Sequence, residues 1–415
     1  MRIDINKGKS EKGSITLFVV IAMMFFSIIL LTGFIGIKNK LIEQDKKIQV
    51  IQNEYQATSM DQKYRELNTI DVSLPDGMTI TGSDGESSID EGVVAVDKNG
   101  NKWVWIEVPK TATVYSTAGT SITESISGEF TDEEYVKIYN DLKTYTADYK
   151  NGSTTSQNTS SVDTWYSGCG IVDELTYNKL KNKMLKSIYK NEGFWIGQYE
   201  IGTYTARKSK DDELTTPVCR QGAYPYNYVT CSQAQELASR MTPDSNRNSS
   251  LMFGIQWDLV LKFIETKATK PGTSASNIKE ALRTNSSDWG NYCNVTFEIQ
   301  RGEYSVDEGE TWKSFDVNTE KNVVNKIKQK EDENYENGYV VLTTGATNRN
   351  SLVNIYDLAG NVWEWTLEKN MADYGPCSYR GGSFYNNGGY HQVALRWPNR
   401  TFDSFSVIGF RPALY

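Results

Sequence analysis

The run NIYDLAGNVWEWTLE, residues 354–368, is the stretch on which the fold turns. Gly360 and Asn361 mark a turn, and the residues after it alternate. Val362 and Glu364 fall on one side of an extended chain, Trp363 and Trp365 on the other. Two tryptophans on one face of a strand are first of all core. The oxygens of Asp357, Asn361 and Glu364 flank the turn, where such groups commonly satisfy backbone amides.

Other blocks surround this one. Upstream lie GFWIGQYEIGTYT (193–205), VTCSQAQELASRM (229–241) and LMFGIQWDLVLKFI (251–264); downstream lie YRGGSF (379–384) and GFRPALY (409–415). Residues 232–241 and 256–266 read as helices. Asn99-Gly100-Asn101, set between two β-type runs within 92–110, predicts a hairpin. In order, the blocks resemble the formylglycine-generating enzyme (sulfatase-modifying factor) domain. The resemblance spans roughly residues 92–415, interrupted by insertions near 110–190 and 295–345. It implies an α+β, C-type-lectin-like fold: a twisted, mostly antiparallel sheet, two helices and abundant irregular chain.

The same resemblance implies what a catalyst would need. Formylglycine formation depends on two cysteines shortly after the Gly-Gly-Ser-aromatic block, where thiolates bind copper. Aligned through Gly382, Ser383 and Phe384, those points are Asn386 and His391, and neither is a thiolate. The expectation is therefore a non-catalytic relative that requires no cofactor, with an enzyme of rearranged site as the alternative. Related domains hold calcium near the Trp-Glu-Trp motif, so Asp357, Asn361 and Glu364 are the candidate calcium ligands, set against their role in the turn. Arg380 and Arg411 read as internal partners for carboxylates and carbonyls. A serine-hydrolase reading of Ser383 with His391 lacks the G-x-S-x-G elbow. The Ser305, Asp307, Gly309, Thr311, Trp312 pattern resembles a single Asp-box, which ties down one hairpin.

Between the RGGSF and GFRPALY frames lie Tyr385, Asn386, Asn387, Tyr390, His391, Trp397, Asn399, Phe402, Asp403, Ser404, Phe405 and Ser406. Aromatics supply contact area while Asn and Ser supply adaptable hydrogen bonds, the composition of a binding surface. The layout resembles the variable proteins of diversity-generating retroelements, whose C-terminal segment is diversified. The competing reading is a plain loop with Trp397, Phe402 and Phe405 tucked into the core.

Composition narrows the rest. A net charge of −8 over 415 residues leaves no basic field for nucleic acid, so the expected partner is a protein or glycan on another surface. Five cysteines without a C-x-x-C pair exclude a dense disulfide framework. His391, the only histidine, rules out a multi-histidine zinc site. Residues 15–37 are 23 in number and uncharged, long enough at about 1.5 Å each to cross a bilayer core of about 30 Å. The expected arrangement is a cytoplasmic tail (1–14), one membrane helix (15–37), a helical stalk (38–70), a linker (71–91) and an extracellular head at the cell membrane. KGSITLF also resembles a prepilin leader cleaved after Gly13, although Phe18 stands where pilins carry glutamate; a filament subunit with a lectin-like head is the third alternative. The Ser- and Thr-rich residues 144–170 read as a mobile surface insertion.

Overall fold

The computed structural model describes residues 19–27, seven positions between 38 and 49, 70, 72–149, 162–244, 246–268, 275–295, 299–316, 339–372 and 375–415. The chain forms two units, Met1–Thr69 and Ile70–Tyr415. In the first, residues 19–27 and the seven positions are helical. The expected tail, and most of the expected membrane helix and stalk, lie outside the described residues. Among the described residues no helix is long and apolar enough to cross a membrane.

The second unit opens with β1 (Met78–Ile80), β2 (Val94–Asp97) and β3 (Lys102–Glu107). The expected hairpin joins β2 to β3: Gly100 takes φ +77°, and the Asp97 carboxylate accepts from the amides of Asn99 (2.8 Å) and Asn101 (3.0 Å). The side chain of Asp97 thus closes the turn locally. β1 corrects the linker expected over 71–91, because Met78 to Ile80 pair with Asp97 to Ala95 and start the folded unit earlier. A Gly/Ser/Asp-rich composition hid three residues that a neighbouring strand recruits as a sheet edge.

Three helices follow: α1 (Asp132–Tyr145), α2 (Val162–Gly168) and α3 (Glu174–Asn191). Thr131 and Glu134 cap α1 reciprocally, and the Asp173 side chain caps α3. α3 buries Met184, Leu185, Ile188 and Tyr189. The mobile insertion expected over 144–170 is corrected in its described parts: Tyr149, Trp165, Tyr166 and Cys169 are all buried. Trp165 packs edge-on against Tyr166 and Tyr177 at 5.0 and 5.2 Å, so a few aromatics anchor an otherwise polar stretch.

Beyond β4 (Gly193–Gly197) come α4 (Cys231–Ser239), β5 (Ser249–Leu251) and α5 (Gly254–Lys267), at the two positions where helices were expected. The second sheet uses β6 (Trp363–Ala372), β7 (Gly375–Arg380), β8 (Trp397–Asn399) and β9 (Ile408–Phe410), and β10 (Pro412–Leu414) ends the chain. The first sheet runs β1-β2-β3-β4-β10-β5 and the second β8-β7-β6-β9. Only β6 and β9 are parallel in these two sheets, with Trp363 opposite Ile408. The alternation read at 362–365 is present, yet both faces are covered: Val362, Trp363, Glu364 and Trp365 are all buried. The Asp-box-like segment is the expected hairpin, with Asp307 accepting from the Thr311 amide at 2.9 Å and its hydroxyl at 2.5 Å.

Arg411, alone between β9 and β10, is the point where the chain steps from one sheet to the other. Its guanidinium donates to Glu364 on β6, to the Gly197 carbonyl at 2.8 Å on β4 and to the Tyr356 carbonyl at 2.8 Å. One fully buried planar fork therefore ties both sheets together, a geometry that lysine could not reproduce.

Candidate functional site

The segment 381–407 leaves β7, contributes β8 and returns as β9. Buried charge fixes its start and its middle. Arg380 donates to Glu368 and to Asp258 of α5, each at 2.9 Å, and Arg396 reaches the same two carboxylates. Burial pushes the Asp258 carboxyl above its ordinary value, against the pull of Arg396 and Arg380. For Glu368 the same two guanidinium groups outweigh burial and hold the carboxyl below its ordinary value. The expected internal roles of Arg380 and Arg411 are what the structure shows.

Backbone bonds then pin the segment at intervals. The Phe384 amide donates to the Asn361 carbonyl (2.8 Å), the Trp257 indole to the Val393 carbonyl (3.0 Å), and the Cys231 amide to the Thr401 carbonyl (2.9 Å). Asn227 closes the far end by donating to the Ser406 carbonyl at 2.9 Å. Phe384, Val393 and Ala394 are completely buried.

Between the pins, side chains point outward. Tyr385, Tyr390, Trp397, Phe402 and Phe405 are 44, 74, 39, 65 and 49% exposed. Among described residues from 70 onward, only Tyr204 joins these five as an exposed aromatic, so the exposure is local to this segment. The loop reading, with Trp397, Phe402 and Phe405 in the core, does not describe this geometry. Asn386, Asn387, His391, Asn399 and Ser404 are half-buried. Ser406 and Asp403 are buried: Ser406 donates to Glu308 at 2.8 Å, and Asp403 pairs within the segment with Arg400 at 2.8 Å.

The half-buried residues are partly committed to shaping the surface. Asn387 accepts at its side-chain oxygen from the Gly389 amide (2.8 Å), and Asn386 accepts from the Ser383 hydroxyl (2.7 Å). Ser383 is thus occupied locally. His391 lies between Trp397 (5.0 Å) and Trp363 (5.8 Å), continuing an aromatic run from the core to the surface. Burial lowers its pKa below the ordinary value, so the imidazole is neutral at pH 7. Sequence reading missed Tyr339, which stacks on Tyr385 at 3.8 Å, and Arg400, whose guanidinium lies 4.9 Å from the Phe402 ring. Tyr339 comes from the second insertion, which no motif marked.

The three candidate calcium ligands are engaged elsewhere. Both Glu364 oxygens accept from Arg411. The Asn361 side chain accepts from Asn291 (2.9 Å) and the Leu342 amide (3.0 Å) while donating to Glu200 and to the Leu342 carbonyl. Asp357 accepts from the Gly345 amide at 2.6 Å. As placed, these residues do not fit a calcium ion; Arg411 supplies the positive charge at this point. Burial raises Asp357 to about 6 and Glu364 to about 7, and burial with both neighbouring carboxylates pushes Glu200 far up.

The fold and its motif blocks are similar to those of a sulfatase-modifying-factor-like, C-type-lectin-like domain. Residues 281–414 match the family model described as Sulfatase-modifying factor enzyme 1-like domain. No curated protein matches the chain. Among solved structures, CarF is 13% identical at a TM-score of 0.31, covering 53% of this chain and 85% of that one. PvdO from Pseudomonas aeruginosa is 13% identical at 0.28, covering 54 and 81%. Variable protein 1 of Treponema denticola is 15% identical at 0.21, covering 66 and 80%. Likenesses this low say nothing of function.

Proposed function

We propose that this chain is a ligand-binding protein of the cell surface, whose head binds through the segment 385–405. The observation that carries the reading is the set of five exposed aromatics held on a backbone that buried Arg380, Arg396 and Arg411 make rigid. Aromatic side chains on a preorganised frame lose little entropy on binding and supply most of an interface's energy. The partner is a protein or glycan on another surface, and residues 15–37 anchor the chain in the membrane with the head outside. Asn386 and His391, where an enzyme of this class would carry thiols, support a non-catalytic role.

The test uses the full chain in detergent against arrayed glycans and defined surface proteins. Alanine at Tyr385, Tyr390 or Trp397 lowers affinity for a bound partner by at least about tenfold, or about 1.4 kcal/mol. Melting temperature stays within about 2 °C, since exposed side chains contribute little to stability. Loss of fold in step with loss of capture would place these side chains in the core and end the proposal. Formylglycine formed on a sulfatase peptide by the same preparation with copper would establish the enzyme instead.

A further inference from the structure

Away from the aromatic segment, three of the five cysteines converge. Cys169 follows α2, Cys231 is the first residue of α4 and Cys377 lies in β7. They are 62, 146 and 208 positions apart in the chain, yet their sulfurs stand 3.2 Å (169 to 231), 3.8 Å (231 to 377) and 3.8 Å (169 to 377) from one another. All three are completely buried. Cys219 lies apart, its sulfur facing the Lys102 carbonyl at 3.1 Å.

The triangle has the dimensions of a metal site. The point equidistant from the three sulfurs is about 2.1 Å from each, and an ion about 0.9 Å above the plane would stand about 2.3 Å from all three, the zinc–thiolate distance. Among the described residues no histidine or carboxylate joins the cluster, so the donor set is entirely soft and selects thiophilic ions. The surroundings suit thiolates. Cys231 opens a helix capped by Thr230, whose positive end favours negative sulfur. The buried indole N–H of Trp165 is directed at the Cys377 sulfur, as an outer donor to a metal-bound sulfur would be.

We propose that Cys169, Cys231 and Cys377 hold one thiophilic d10 metal ion, Zn²⁺ or Cu⁺, which clips the helical insertion and α4 to β7. Each thiolate gives one lone pair to the ion, the thiol protons leave to solvent, and no electron is transferred. Affinity therefore rises with pH. Cu⁺ is satisfied by three thiolates, whereas Zn²⁺ needs a fourth donor, for which the Thr366 carbonyl, 3.4 Å from the Cys377 sulfur, is the near candidate. The site lies behind the proposed binding face, joined to it where the Cys231 amide donates to the Thr401 carbonyl and where β7 pairs with β8.

The experiment loads the full-length chain, purified in detergent with reductant and without oxygen, with Zn²⁺ or Cu⁺ separately. Excess ion is removed with a chelator, and metal per chain is read by mass spectrometry. One equivalent of one ion stays on the wild type, on Cys219→Ser and on Cys293→Ser. Retention falls below about one tenth of an equivalent on Cys231→Ser and Cys377→Ser. Because those two changes touch buried positions, wild-type chain is also alkylated during urea unfolding and its peptides mapped. Bound metal delays labelling of Cys169, Cys231 and Cys377 beyond the delay of Cys219 and Cys293, which slow only as the whole fold is stabilised. The site is overturned if folded wild type retains neither ion, or if all five cysteines are delayed alike.

Discussion

Arg411 and the carboxyls around it set how this domain responds to acid. Burial holds Asp357 at about 6, above the 3.8 of an exposed aspartate, so the folded state binds this proton more tightly than the unfolded chain does. The stability this provides is complete below pH ~4 and is lost as pH rises through about 6. At about 1.36 kcal/mol per unit, the loss is at most ~3 kcal/mol. Asp357→Asn removes the titration while tolerating the φ of 56° at this position. Urea unfolding at pH 4 to 7 is expected to show wild-type stability falling relative to the variant across that interval; parallel profiles would mean the carboxyl is not desolvated in solution. Added calcium leaves the wild-type melting temperature unchanged, and a rise would restore Asp357, Asn361 and Glu364 as ligands. At this scale the sequence disclosed which arginines turn inward, because both flank apolar blocks. It did not disclose Glu200 as part of the network, nor three cysteines converging from 62 to 208 positions apart, because only the folded chain makes them neighbours.

The elements show where local pattern suffices. α4 is legible because its apolar residues recur with helical period over nine residues, and α5 because a largely apolar run of fourteen is too long for a strand. β1 is three residues long and exists through its pairing with β2, and α2 stands beside a run of serines and threonines with Trp165 as its buried anchor. The turn after β7 belongs to the legible part, and its glycine has a specific cost to replace. Gly382 has φ +77°, and a Cβ there would meet the His391 carbonyl oxygen and a Tyr292 ring carbon, each at 2.6 Å. Gly222 has nearly the same φ, +79°, with open space around it. Gly222→Ala therefore reports the backbone term alone, about 1 kcal/mol. Gly382→Ala adds overpacking of about 1–3 kcal/mol. Denaturation midpoints of the two variants measure the difference, and equal losses would show that the 381–392 loop yields without resistance and is not the rigid frame that binding requires.

At the scale of the whole molecule, the proposed function turns on how the head is presented. Residues 15–37 form an uncharged run of 23, and within it the helical residues Met23, Phe25 and Phe26 are 66, 64 and 67% exposed in their unit. A bilayer would cover apolar side chains of this kind, which is where the proposed function puts the run. The expected result is that the full chain sediments with membranes, resists alkaline carbonate and is released by detergent. Deleting residues 1–40 moves it to the soluble fraction with binding through Tyr385 and Tyr390 retained per head. A full chain that fractionates as soluble would remove the anchor. A mature N-terminus at Ser14, read by mass spectrometry, would instead give the apolar run a partner of its own kind, helix packed on helix in a filament. The segment 385–405 would then be displayed in many copies, and weak single contacts would sum to avid capture.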